Sequence, residues 1–222
     1  MGRKVALNIQ SQTFLRERFG RFLVRVTMVV ALLLACITVL FLLEQRRTQG
    51  EMGAILSAFF SDHVLRNIQD QVAGAGREIQ IVVVRESQNP WDSEILRRSL
   101  LFDRQSSFSQ SSFTTQVSFF LSNLLSTNIQ TELHLPSSAQ WFFINWRELK
   151  VDGTKPIDFQ TRLPNNFGYF VVSHAGLNLG KTEAILYVDH FCGGLCGGGE
   201  YFLMRKANGV WHVVDQHIAW IS

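Results

Sequence analysis

The segment Phe191-Cys192-Gly193-Gly194-Leu195-Cys196-Gly197-Gly198-Gly199 concentrates the reactive residue types of this chain, with His190 directly before it. Three chemistries fit. The first is a disulfide between Cys192 and Cys196, the only cysteines beyond residue 36, in an oxidising compartment. The enclosed loop is so short that the bridge would contribute about 2 kcal/mol at most, so it would fix the loop more than the fold. The second is a metal site using His190, Cys192 and Cys196 with His212 or His217. Thiolate and imidazole ligands suit zinc, although a His two residues before a Cys-x3-Cys pair is not a standard signature. The third is a redox or nucleophilic thiol. The usual redox pair is Cys-x-x-Cys opening a helix, whereas here three residues intervene and strands are expected on both sides. The glycine run lacks the Lys-Ser/Thr ending and the following helix of a phosphate-binding loop.

Six histidines, His63, His134, His174, His190, His212 and His217, widen the search, with Ser173, Glu183, Asp189 and Asp215 as candidate partners. Asp189 and His190 are neighbours on an expected strand and point to opposite faces, as do Ser173 and His174. No Gly-x-Ser-x-Gly elbow and no His-Glu-x-x-His zinc helix occurs. No catalytic residue is therefore assigned and no cofactor is implied. If a site exists, it belongs near His190, Cys192 and Cys196.

These residues follow an apolar run. Val26 to Leu43 contains no Asp, Glu, Lys or Arg over 18 residues, about the minimum for a helix crossing a bilayer. Its start extends to Phe22 if Arg25 snorkels to the headgroups. Arg3, Lys4, Arg16, Arg18, Arg21 and Arg25 precede it, and only Arg46 and Arg47 lie close behind. The positive-inside rule puts the N-terminus in the cytoplasm and the C-terminal domain outside the plasma (inner) membrane. A cleaved signal peptide would have a shorter core and a small-residue cleavage site rather than Glu44-Gln45-Arg46-Arg47. Leu33-Leu34-Ala35-Cys36 distantly resembles a lipoprotein box, but the apolar run continues past Cys36. Ala6 breaks the myristoylation pattern. A buried core helix fits poorly, because the run is apolar on every face.

The net charge of +3 hides an asymmetry. Residues 1–25 carry +5, so the remainder is about −2. That balance argues against a nucleic-acid module, while the basic tail suits anionic headgroups. The 18 Phe and five Trp suit a packed domain rather than a disordered stalk. No Asn-x-Ser/Thr sequon is present, which points toward a bacterial source.

The organisation expected is a basic tail at 1–21, a transmembrane helix at 22–43, a linker at 44–50 and an external domain at 51–222. Met52, Ile55, Leu56, Phe59, Phe60, Val64, Ile68 and Val72 recur at helical spacing over 51–72. Ile79–Val84 reads as a strand. Asp92 would cap a helix over about 93–103, and the serine-rich stretch 105–112 reads as a loop. A helix over about 113–127 would put Val117, Phe120, Leu121 and Leu124 on one face. Strands are expected at Trp141–Leu149, Tyr169–His174, Glu183–His190, Glu200–Lys206 and Val210–Trp220. Asn208-Gly209 is the preferred type I′ hairpin turn. It places Phe202, Met204, Trp211 and Val213 on a buried face, and Tyr201, Arg205, His212 and Gln216 on the other. Helices first and strands after give an α+β class, with helices packed on a C-terminal antiparallel meander.

The C-terminal third resembles an uncharacterised family of bacterial exported, membrane- or lipid-anchored proteins. The resemblance rests on Leu163-Pro164-Asn165-Asn166-Phe167-Gly168, Ser173-His174-Ala175-Gly176-Leu177-Asn178, Cys192 to Gly199, Gly209-Val210-Trp211 and Trp220-Ile221-Ser222. Leu163 stands where the family pattern has an aromatic residue. The resemblance covers about 60 residues and implies export, without an activity or a catalytic residue. The expected role is binding or interaction, with an envelope protein or a small ligand as partner. The alternative is a metal-binding, hydrolytic or redox envelope enzyme built on the His190–Cys196 loop.

Overall fold

The computed structural model describes residues 3–72, 79–85, 110–123, 133–145, 150–151, 155–156, 163, 165–193 and 196–222. Helix α1 is Arg3–Ala58. The chain divides into two compact units, Met1–Leu43 and Glu44–Ser222. In the first, the described side chains from Val24 to Leu43 are exposed, as an all-round apolar helix would be outside a bilayer. Among the described residues, one helix is long and apolar enough to cross a membrane, with a window of mean hydropathy 3.0.

In the second unit, residues 44–50, expected as a linker, are helical. After Ala58 the backbone widens into a π-helical segment, Phe59–Leu65, and returns to α2, Arg66–Val72. The cause is legible in the side chains. Phe59 and Phe60 are buried, and so are Val64 and Leu65, five residues further on. The i→i+5 bonding of a π turn brings residues five apart onto one face.

The strands are β1 (Ile79–Val84), β2 (Ala139–Ile144), β3 (Lys150–Val151), β4 (Lys155–Pro156), β5 (Asn166–Val172), β6 (Gly176–Leu177), β7 (Glu183–Gly193), β8 (Cys196–Ala207) and β9 (Val210–Ile221). The main sheet runs β2-β1-β5-β7-β8-β9, with β6 paired to β7; β3 and β4 form a separate pair. From β5 to β9 every pairing is antiparallel, and β7–β8–β9 is a meander. The C-terminal strands thus form the antiparallel meander expected, and β1, outside it, pairs in parallel with both β2 and β5. Parallel neighbours need long crossovers, and the chain between Val84 and Ala139 is long enough for one. Asn208 and Gly209 have φ of 52° and 82°, the type I′ geometry, and Ala207 pairs with Val210. The aromatic strand near Trp141 ends at Ile144. Residues 146–149, the expected helix at 93–103, and 105–109 lie outside the described residues.

Two apolar clusters flank the meander. One joins Met52, Ile55, Phe59, Phe60 and Ile68 to Ile81, Phe170, Leu186, Phe202, Met204 and Trp211. Phe202, Met204 and Trp211 are thus buried as expected, with Val213 packed beside them. The other joins Ile185, Tyr187 and Tyr201 to Phe119. Tyr201, expected on the opposite face, is buried there because Phe119 covers it, with ring centroids 6.2 Å apart.

Phe119 belongs to α3, Phe113–Ser122, which buries a mainly polar face. Thr115, Ser118, Phe119 and Ser122 are buried, while Val117 and Phe120 are exposed; Leu124 lies outside the described residues. The inward polar groups all find partners, which removes the usual cost of burying them. Ser112 Oγ accepts from Thr115 N as the N-cap. Thr115 Oγ1 donates to Glu183 at 2.9 Å. Ser118 Oγ donates to Glu44 and accepts from Leu177 N at 2.8 Å.

Candidate functional site

The π-helical segment forms one wall of a cavity of about 300 Å³. Phe59, His63 and Val64 come from this segment, with Asn67 and Ile68 from α2. Phe167, Phe170, Val188 and His190 come from β5 and β7, and Gly198, Glu200 and Phe202 from β8. The walls are mostly aromatic or aliphatic, with a few polar groups among them, the usual make-up of a small-molecule pocket.

Each cavity imidazole rests on an aromatic ring. His63 stacks on Phe59 at 5.6 Å and meets Phe202 edge-on at 4.9 Å. His190 lies parallel to Phe170 at 4.3 Å. His190 Nε2 hydrogen-bonds the Phe167 carbonyl oxygen, which can only accept. Nε2 therefore carries the proton, and in the neutral ring Nδ1 is left as an acceptor. Burial pushes the pKa of His63 and of His190 down, partly offset at His190 by the Phe167 bond. Burial pushes Glu200 up. Desolvation thus works against charge on all three titratable groups, and the chemistry of the space is hydrogen bonding against an aromatic surface.

Across the sheet from His190, Asp189 sits in a different network. Its Oδ1 accepts from the Tyr187 hydroxyl and from Trp220 Nε1, the latter at 2.9 Å, while Oδ2 is buried without a partner among the described residues. Burial raises the Asp189 pKa to about 6, although both hydrogen bonds act to lower it. Burial and the Asp189 charge push Tyr187 strongly upward. Gly199 makes room for this network. A Cβ there would lie 2.1 Å from both Trp220 Nε1 and the Tyr187 hydroxyl.

The other sequence candidates disperse. Cys192 and Cys196 lie within the extended ends of β7 and β8, with sulfurs at disulfide distance and Cα atoms 5.1 Å apart. Among the described residues, no three His, Cys, Asp or Glu side chains converge as metal ligands. His190, Cys192, Cys196 and His212 thus do not assemble into one site. His212 faces Asp62 at 3.6 Å and lines a separate depression with His63, Arg66 and Val213. Ser173 Oγ accepts from Tyr187 N at 2.9 Å and so completes backbone pairing. The His174 backbone is held from both sides by the Asn123 amide. Glu183 accepts from Ser112 N and Thr115 Oγ1, and it faces Arg205 at 3.6 Å. His134 is exposed, its backbone N–H donating to Ser57 Oγ. Asp215 and His217 lie on β9, where they pair with Leu203 and Tyr201.

His63 and Glu200 had no assigned role in the sequence. The available signal was the five-residue repeat of Phe59-Phe60 and Val64-Leu65, which marks a π turn, a feature frequent at functional sites.

No family model, curated protein or solved structure matches the chain. The case for a function therefore rests on the cavity and the apolar helix.

Proposed function

We propose that this chain is a single-pass bacterial envelope protein, N-terminus in the cytoplasm, whose external domain binds a small, largely apolar ligand. The cavity carries this reading: it is lined by residues of the π-helical segment, α2 and the strands, and its polar edge is one where burial disfavours charge. His190 Nδ1 would accept from a hydroxyl or amide of the ligand, and Phe170 and Phe202 would pack against its apolar body. The basic residues before Val26 support the orientation. In an oxidising compartment, Cys192 and Cys196 would be joined covalently and would stiffen the hairpin beside the cavity. The resemblance to exported, anchored proteins points the same way.

The test is mass spectrometry of small molecules extracted from the full chain purified from its own membranes. The native chain should carry a defined molecule in near-equimolar amount. Val188→Phe and Val64→Phe, which fill the cavity, should lose it while melting close to the native chain. The same extract from native and filled chains would sink the proposal.

A further inference from the structure

Strand β9 closes one side of the main sheet, and among the described residues no strand pairs with its outer edge. Its register against β8 gains an extra residue at Val214 and another at Ala219. Between these two bulges lies a regular window, Asp215–Ile218, opposite Leu203, Phe202, Tyr201 and Glu200. Bulges keep an edge from templating open-ended pairing, so what remains here is one short stretch that a strand could follow. The backbone polarity of that window follows from β8. Lys206 N donates to the Thr182 carbonyl on the β7 side, whereas the Gly197 carbonyl accepts from Ser222 N on the β9 side. Alternation along β8 therefore turns the polar groups of Phe202 and Glu200 toward β7. Gln216 and Ile218, opposite them, turn their own N–H and C=O to the free edge. The side chains are open as well. Gln216 is exposed, and Val214 and Ile218 are 49% and 50% exposed.

We infer that β9 pairs antiparallel with β9 of a second copy of this chain, about a two-fold axis at Gln216. The sequence Val214-Asp215-Gln216-His217-Ile218 is self-complementary about that axis. Gln216 meets Gln216 of the second copy, and their outward backbone groups exchange two hydrogen bonds. Each Gln side-chain amide both donates and accepts, so it also suits its own image. Asp215 meets the second copy's His217 twice. These are non-hydrogen-bonded positions, where side chains approach most closely, and an imidazole offers the carboxylate an N–H whether neutral or charged. Val214 meets Ile218 twice, covering apolar surface. The neighbouring two-fold registers set Asp215 against Asp215 or His217 against His217, so the charges select one register. A foreign strand would have no use for this symmetry, which is what singles out a second copy as the occupant. Because the axis stands perpendicular to the sheet, the pairing puts both cavities on the same side of one continuous sheet.

The experiment uses the full chain with Cys36→Ser in its own membranes. Gln216→Cys or, as a control, Val210→Cys is added, and linking is followed after a mild oxidant. The chain with neither addition sets the background from Cys192 and Cys196. In the inferred register the two Cα atoms at position 216 lie about 5.5 Å apart, within disulfide reach, and those at position 210 roughly 40 Å apart. Gln216→Cys should give a covalent dimer severalfold faster than Val210→Cys. Asp215→Lys, placed in the Gln216→Cys chain, should slow linking to the control rate, and His217→Glu added to it should restore the dimer by reversing the pair. Equal rates at 216 and 210 would overturn the pairing. A Gln216→Cys chain that links to a different protein instead of itself would overturn it in favour of a foreign strand. A Gln216→Cys dimer that Asp215→Lys leaves unchanged, or that the double exchange fails to restore in a chain melting near the native temperature, would overturn the register.

Discussion

The indole Nε1 of Trp220 donates to Oδ1 of Asp189 at 2.9 Å, tying the last turns of β9 to the centre of β7 beneath a glycine that leaves them space. The carboxyl in this contact is nearly dry, and burial raises its pKa from 3.8 to about 6. Between those values the folded chain keeps a proton that the unfolded chain has released. Stability from this group is therefore greatest below pH 3.8 and is lost as pH rises through about 6, a swing on the order of 3 kcal/mol. Asp189→Asn retains the Oδ1 acceptor and removes the titration. Its stability relative to the native chain should rise across that window and then level off. The difference between the two melting curves isolates this group from His63 and His190, whose titration acts in the opposite sense. A difference that stays flat over the window would contradict the assignment.

Gly199→Ala should be among the most damaging single-methyl additions in the molecule. The added Cβ meets Trp220 Nε1 and the Tyr187 hydroxyl at 2.1 Å and Asp189 Oδ1 at 2.5 Å, so the network must come apart. The cost is about 3 kcal/mol or more, from overpacking together with buried polar groups left unpaired. Trp220 is half-covered in the native fold, and its emission should move to the red in the variant. An unchanged spectrum and melting temperature would mean that the backbone of β8 yields at this point.

His63 makes the cavity sensitive to acid. Burial lowers its pKa below 6.5, so the unfolded chain takes up a proton before the folded one does. Stability from the neutral ring is fully present above pH 6.5 and is lost as pH falls toward the depressed value. His63→Phe keeps the stacking on Phe59 and the contact with Phe202 in kind and removes the titration. The variant should lose less of its melting temperature than the native chain between neutral pH and pH 5. An equal loss in both would assign the acid sensitivity elsewhere, with His190 the next group to replace.

What could be read from the sequence was what neighbours in the chain decide. The Asn208-Gly209 turn sets the β8–β9 register, so the burial of Phe202, Met204 and Trp211 followed from alternation alone. The parallel placement of β1 between β2 and β5 was not legible, because it depends on partners more than fifty residues away. The inward face of α3 was not legible for a related reason. Val117 and Phe120 are the more apolar residues, but Ser118 and Thr115 find Glu44 and Glu183, and a periodicity argument cannot see such partners. The cavity was hidden in the same way. His63 and His190 lie 127 positions apart, and neither carries a local motif. The glycine run, which invited readings in terms of loop chemistry, has in Gly199 a packing role.

The cysteine pair should matter more for the hairpin than for the fold. Cys192 and Cys196 are four residues apart, so a bridge between them restricts the unfolded chain little, about 2 kcal/mol at most. Cys192→Ser combined with Cys196→Ser should therefore melt only a few degrees below the native chain. The local effect should be larger, with faster amide exchange at Phe191 and Gly197, which are paired across the hairpin. Intact mass with alkylation before and after reduction checks the premise. Thiols that alkylate freely without reductant would remove the bridge, and protection released by a chelator would make metal the leading explanation.

Ser118→Ala tests whether the polar interior of α3 is what orients the helix. Ser118 Oγ donates to the Glu44 carboxylate and accepts from the backbone N–H of Leu177, so one hydroxyl joins α1, α3 and β6. Removing it leaves a buried N–H without its acceptor and takes one donor from a carboxylate that Arg47 still holds at 2.7 Å. The expected loss is about 2 kcal/mol, the cost of an unsatisfied buried donor together with a charge-assisted bond. Ser118→Thr, which keeps the hydroxyl, should recover part of it. Because β6 and the following turn are fastened through the same residues, the loss should extend to the turn, seen as faster exchange at Leu177 and Lys181. A neutral Ser118→Ala would mean that Phe119 alone holds the helix, and that the outward placement of Phe113, Val117 and Phe120 has a cause other than the polar contacts beneath them.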